Sequence, residues 1–288
     1  MSSKPRIIFD TSALNALVDD VDSGALTGGI KEGFFVRITA LNAMEITAAS
    51  DDKRKETLLL LCSRFEQTGD AIREHNWIIS TLIRAYQSNP SQFGWKGLDV
   101  RYRVLERELF TMEAFTQQIG KEQRDDARSR QRNFNWELSK ARPVFDKYFA
   151  KYPNDRPETF ADFLDSQQKP DGAFWFFARI LCRKEATIVA NESTLSSFIE
   201  ACPPFRALVL AHCLAQYQRS VKDLKVGPSY NAGAFDLYAS VYLPYCDQFV
   251  TNDSNQRNAL QEIASIAQIP ATVQSYNEFC GRFLFTKR

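Results

Sequence analysis

The chain has 288 residues, 44% hydrophobic and 12% aromatic, enough for a sizeable buried core in one large domain or two ordinary ones. Its 36 basic residues against 35 acidic ones leave a net charge of +1, which excludes a global basic field; contact with nucleic acid has to come from a local patch. The 6 cysteines form no C-x-x-C pair and the 2 histidines fall outside zinc-like spacings, so no zinc site is visible.

The opening MSSKPRIIFD lacks the apolar core of a signal peptide, and no apolar run approaches the roughly 18 residues of a membrane span. A cytosolic protein with reduced thiols and no membrane partner is therefore expected. Arg6 to Phe9 reads as a buried strand, because Ile-Ile-Phe is β-branched and aromatic with no polar alternation. Asp10 follows at its carboxyl end, where α/β sheets bind ligands. Thr11 or Ser12 can cap the next helix, whose apolar face is Leu14, Leu17 and Val18. Asp10 itself reads as a helix cap or as a functional carboxylate. A dehydrogenase-type dinucleotide site is disfavoured, since DTSALN has none of the glycines of G-x-G-x-x-G.

The stretch DDVDSGALTGGIKEG is polar and glycine-rich and reads as a mobile loop, and FFVRIT as a second strand. Thr39 is placed to cap the helix ALNAMEITAAS, with Leu41, Met44 and Ala48 on one face and Glu45 beside it. From 51 to 230 apolar residues recur at three- and four-residue spacing, so the region reads as helical throughout, without a strand. Breaks fall at SNPSQFGW, KYPNDRPE, SQQKPDG and CPPF. His212 and Cys213 sit on one of these helices but point about 100° apart, so they read as packing residues rather than a nucleophile pair.

Within 121–151 the bases, among them Arg128, Arg130 and Arg132, outnumber the acids, with Phe134, Trp136 and Phe145 interleaved. That composition suits a phosphate-contacting surface. A solvated helix face is the competing reading, because Asp125, Asp126 and Glu137 can pair with those bases. The last sixty or so residues return to α/β character. NAGAFDLYASVYLPY reads as a helix, DQFVTND as a strand ending in an acid, SNQRNALQEIASIAQ as a helix, and ATVQSYNEF as a strand with a helix start.

Four acids stand out by position: Asp10, Glu45, Asp236 and Asp253. Parallel strands side by side bring Asp10 and Asp253 to one sheet edge, with Asp236 on the connecting helix. Carboxylates packed together repel, so such a cluster calls for a cation, and hard oxygen ligands select Mg²⁺ or Mn²⁺.

In this pattern the sequence resembles the PIN-domain nucleases. The resemblance rests on IIFDTS, a Glu in the helix after the second strand, then DLYAS and FVTND, and covers residues 5–50 and 231–283. It implies a three-layer α/β/α fold around a parallel sheet, with 1–50 and 231–288 as a discontinuous core. Residues 51–230 would then be partly PIN-like helices and partly an inserted helical subdomain, a stretch far longer than a compact member of the family requires.

The activity implied is a metal-dependent endoribonuclease that hydrolyses phosphodiester bonds of single-stranded RNA through bound Mg²⁺ or Mn²⁺. Carried over by motif position, Asp10, Glu45, Asp236 and Asp253 would be the metal ligands, oriented by Thr11 or Ser12 and Thr251. Asp247 is a further supporting candidate, with a turn role as its competing reading. The insertion leaves room for a regulatory protein partner or a second copy of the chain. The alternative is a non-catalytic PIN-like scaffold that binds RNA or a protein through the insertion. A phosphatase of the haloacid dehalogenase type would need a second Asp at position 12, where Ser12 stands.

Overall fold

A computed structural model describes residues 4–66, 69–101, 140–167, 172–182, 192–222 and 234–286, together with Asp125 and Ser129. Its centre is a five-stranded, all-parallel sheet made of β1 (Arg6–Phe9), β2 (Phe35–Thr39), β3 (Asp70–Ile72), β4 (Gln248–Thr251) and β5 (Thr272–Ser275). The spatial order is β3-β2-β1-β4-β5, with Ile8 in register with Arg37 on one side and Phe249 on the other. Parallel neighbours need crossover connections, and helices supply them. These are α1 (Thr11–Asp19) and α2 (Ser23–Gly33) after β1, then α3 (Ala40–Ala48) and α4 (Asp52–Glu66) after β2.

The order places a topological switch point between β1 and β4. From β1 the chain moves outward to β2 and β3, then returns to lay β4 on the opposite side of β1. In open α/β sheets the crevice beyond the carboxyl ends of two such strands is where ligands bind.

Side-chain alternation along β1 gives the sheet two buried faces. Ile7 and Phe9 join Leu14, Leu17, Phe65 and Val250 in one apolar cluster. Ile8 joins the other, with Ile72, Phe249 and residues of the helices that follow β3. Those helices are α5 (His75–Ser88), α6 (Arg142–Lys151), α7 (Phe160–Gln167), α8 (Ala173–Cys182), α9 (Glu192–Ala201) and α10 (Pro203–Gln216). The described helices of 142–221 thus share one core with a face of the sheet. A π-helical turn, Tyr217–Val221, closes α10 and is followed by α11 (Ala234–Tyr238), α12 (Ser254–Ile266) and α13 (Tyr276–Thr286). Among the described residues no single helix is long and apolar enough to cross a membrane.

Four local expectations need correction. The stretch read as helical throughout contains β3, an edge strand only three residues long, too short to show a period of two. It is preceded by Gly69, where a Cβ would lie 1.7 Å from the Val36 carbonyl oxygen, so only glycine lets the chain pass β2 this closely. The glycine-rich stretch read as a loop is helix α2, held because Leu26 and Ile30, four residues apart, are both buried against the sheet. The long helix expected over 231–245 is instead the short α11 followed by a 3₁₀ segment, Ala239–Tyr245, which contains Pro244. Finally, the cap of α1 is Asp10, whose side chain accepts the Ala13 amide, and not Thr11 or Ser12.

Candidate active site

At the carboxyl ends of β1 and β4 the first turns of α1 and α12 face each other, and short polar side chains tie them together. Asp10 Oδ1 accepts the Ala13 amide at 2.8 Å and caps α1, while the Ser12 hydroxyl donates to the same carboxylate at 2.9 Å. Its other oxygen accepts the Thr251 hydroxyl at 3.0 Å. Each hydroxyl also works in the other direction: Ser12 Oγ accepts the Asn252 amide at 2.7 Å, and Thr251 Oγ1 accepts the Asp253 amide at 3.0 Å. The loop after β4 is thereby locked to the loop after β1. Asp253 caps α12, its Oδ1 accepting the Asn255 and Gln256 amides at 2.7 and 2.9 Å.

Glu45 arrives from α3. The helix is started by a capping box in which Thr39 Oγ1 accepts the Asn42 amide and Asn42 Oδ1 accepts the Thr39 amide. Asn42 Nδ2 then donates to the Phe9 carbonyl at 3.0 Å, fixing α3 against the end of β1. One turn on, Glu45 lies beside Thr11, whose hydroxyl hydrogen-bonds its carboxyl group. Asp236, on α11, accepts Gln256 Nε2 at 3.4 Å. Gln256 therefore links two of the acids, donating its backbone amide to Asp253 and its side-chain amide to Asp236.

The electrostatics couple Glu45 to Asp10 and Asp236. Burial pushes Glu45 up from 4.5 to about 8, and the charges of Asp10 and Asp236 push in the same direction against the Thr11 hydrogen bond. Burial likewise raises Asp10 from 3.8 to about 6, opposed by its bonds from Ala13, Ser12 and Thr251. Arg219, on the π-helical turn, is lowered by burial while the charge of Asp236 acts to raise it, which puts a cation within range of the acidic edge.

Of the residues expected from the sequence, Asp10, Glu45 and Asp236 couple electrostatically, and Asp253 joins them through Thr251 and Gln256. Asp247 is not among them. It precedes β4 at the opposite edge of the sheet, where Arg6 Nη2 meets Asp247 Oδ1 at 2.7 Å and the Arg6 amide donates to its other oxygen at 2.7 Å. Arg128, Arg130 and Arg132 lie outside the described residues. His212 and Cys213 are packing residues: His212 Nδ1 contacts the Leu208 carbonyl at 2.9 Å and Cys213 is fully buried.

Sequence reasoning missed Gln256 and Arg219. Gln256 is 4% exposed and its Oε1 is buried without a hydrogen-bond partner among the described residues. Gln256 follows the cap Asp253 by three residues, the spacing of a helix start, but its contact with Asp236, like that of Arg219, comes through tertiary packing.

Among the described residues no three His, Cys, Asp or Glu side chains form a ready metal cage. The donor chemistry nonetheless fits a hard cation. The set is all oxygen, it includes an orphaned buried amide oxygen on Gln256, and two of its acids are raised by burial, for Glu45 with a contribution from neighbouring charge. No family model, curated protein or solved structure matches the chain.

Proposed function

We propose that the chain is a PIN-like, metal-dependent endoribonuclease acting on single-stranded RNA. The observation that carries this reading is the coupling of Asp10, Glu45 and Asp236 at the carboxyl edge of a parallel sheet, at its switch point. Asp10, Glu45 and Asp236 would hold the Mg²⁺ or Mn²⁺, with Asp253 alongside. A divalent cation bound there supplies an activated water and neutralises the leaving oxygen of a phosphodiester.

The chain's own residues do the positioning. Thr251 and Ser12 hold both oxygens of Asp10, Thr11 holds Glu45, and Gln256 holds Asp236. Fixed carboxylates keep a coordination geometry without reorganising during turnover. Asp253 spends Oδ1 on the α12 cap, which leaves its Oδ2 for a ligand. Arg219 brings a positive charge to the same edge, suited to a substrate phosphate. No thiol competes as nucleophile, because burial raises all six: Cys62, Cys182, Cys202 and Cys246 to about 12, with Cys213 and Cys280 also pushed up.

The test is a matched pair of single-stranded RNA and DNA oligonucleotides incubated with the protein in Mn²⁺ and in EDTA. Cleavage of RNA in Mn²⁺ that leaves 5′-phosphate ends, and none in EDTA, is the expected result. Undiminished cleavage in EDTA, or no cleavage of either polymer in Mn²⁺, contradicts the reading.

A further inference from the structure

Helix α6 lies in the basic segment 121–151 and presents an apolar stripe that the acid site does not use. Val144, Tyr148 and Tyr152 recur at every fourth residue along it and are 70%, 47% and 43% exposed. Val144 and Tyr148, with Phe145 and Phe149, wall an open groove of about 560 Å³, and Tyr152 stands just beyond the helix end outside it. The two tyrosine rings lie 5.1 Å apart at 47°, and the Tyr148 hydroxyl donates to Asp155 Oδ2 at 2.7 Å, so one ring is already held in place.

Charge decides what such a stripe suits. Residues 140–156 contain Lys140, Arg142, Lys147, Lys151 and Arg156 against only Asp146 and Asp155. Both acids are engaged inside the protein, Asp146 by Arg142 and Arg156 at 3.4 Å each and Asp155 by Tyr148. Lys147 makes no ion pair among the described residues, and Lys151 Nζ sits 5.0 Å from the Tyr152 ring centre. Half-exposed rings edged by lysines that make no ion pair among the described residues match a polyanion that carries planar groups, whereas a purely apolar partner would leave the lysines unmatched.

We propose that this face of α6 is a stacking platform for single-stranded nucleic acid, with bases on Tyr148 and Tyr152 and phosphates met by Lys147 and Lys151. The platform adjoins the acidic edge. Arg142, the first residue of α6, donates to the Arg219 carbonyl at 3.2 Å, and Arg156 donates to the Val221 carbonyl at 3.3 Å. Both ends of the 142–156 segment are thus tied to the turn that carries Arg219. That the bound strand feeds the acids rests on the nuclease reading; that it binds does not.

The test measures anisotropy of a labelled single-stranded RNA with the full chain in EDTA, where no turnover is needed. Tyr148→Ala with Tyr152→Ala should weaken binding about tenfold or more, and Tyr152→Phe should retain it. Lys147→Gln with Lys151→Gln should flatten the slope of log affinity against log salt by about 1.4. Binding by the double alanine variant within twofold of wild type, with melting unchanged, overturns the platform. So does a wild type that binds no oligonucleotide but self-associates through tyrosines that the alanine variant removes. A platform that binds as described in a chain that never cleaves RNA in Mn²⁺ refutes the nuclease reading and leaves the platform standing.

Discussion

Acids occur at both edges of the sheet, and their surroundings differ. At the amino edge Asp247 is held by Arg6 at 2.7 Å and Asp70 by Arg37 at 3.2 Å. The Arg6 guanidinium keeps Asp247 below the usual carboxylate range. At the carboxyl edge Asp10 and Glu45 are met by hydroxyls, amides and other acids, and both are raised. One edge pairs its acids with arginines, while at the other burial, and for Glu45 neighbouring acids, favour the protonated carboxyl. On the proposed reading the contrast separates acids that fasten the sheet from acids that would hold a ligand.

The contrast breaks most visibly in activity. Asp10→Asn should lower Mn²⁺-dependent RNA cleavage by about a hundredfold or more while the fold is retained, since the amide keeps the α1 cap but loses the charge. Cleavage at the wild-type rate would remove Asp10 from the site.

Next in size is the amino edge. Arg37→Met leaves Asp70, which is 2% exposed, without its cation, and should cost about 3–5 kcal/mol in urea unfolding with turnover per folded molecule unchanged. A loss of turnover without a loss of stability would mean that the two edges are not separate in function.

A pH titration of stability sharpens the comparison further. Glu45 in the folded chain keeps its proton up to about 8, whereas its ordinary value is 4.5. In that window the folded state binds more protons than the unfolded one, so stability falls as pH rises. The penalty is absent below about 4.5, grows through the window and is complete above 8. Asp10 adds a similar fall between 3.8 and about 6, and His212, lowered by burial from 6.5, acts in the opposite direction near that value, so the fall between about 7 and 8 belongs to Glu45. Metal-free wild type should lose up to about 1.4 kcal/mol per pH unit there, and Glu45→Gln should be flat. Parallel curves for the two proteins would show that Glu45 lies outside the field.

The smallest effect concerns Asp253. Asp253→Ala should lose the α12 cap, at roughly 0.5–2 kcal/mol, while Asp253→Asn keeps most of it. Equal melting temperatures for the two variants would refute the cap seen in its bonds to Asn255 and Gln256.

Strands β1, β2, β4 and β5 and the Thr39 cap were legible in the sequence, because each depends on a run of apolar residues or on one polar residue placed before a helix. The alternatives weighed for Asp10, cap or functional carboxylate, turn out to be compatible: one oxygen takes the Ala13 amide while the whole group sits in the acidic field. Strand β3 was hidden by its three residues, and α2 by glycines that lower its intrinsic helix propensity although Leu26 and Ile30 bury its face. Gln256 stands three residues after the cap Asp253, a spacing that marks a helix start but not a contact with Asp236, and nothing near Arg219 marks it; the packing of α12 and of the π-helical turn brings them to Asp236.

The central claim is that the carboxyl edge requires a cation that the amino edge does not. Melting of wild type, Glu45→Gln and Asp247→Asn at pH 8, with and without Mn²⁺, tests it directly. Mn²⁺ at a hundredfold excess over its Kd should stabilise wild type and Asp247→Asn by about 2.7 kcal/mol, and Glu45→Gln much less. No shift in wild type, or the same shift in all three proteins, would contradict the account.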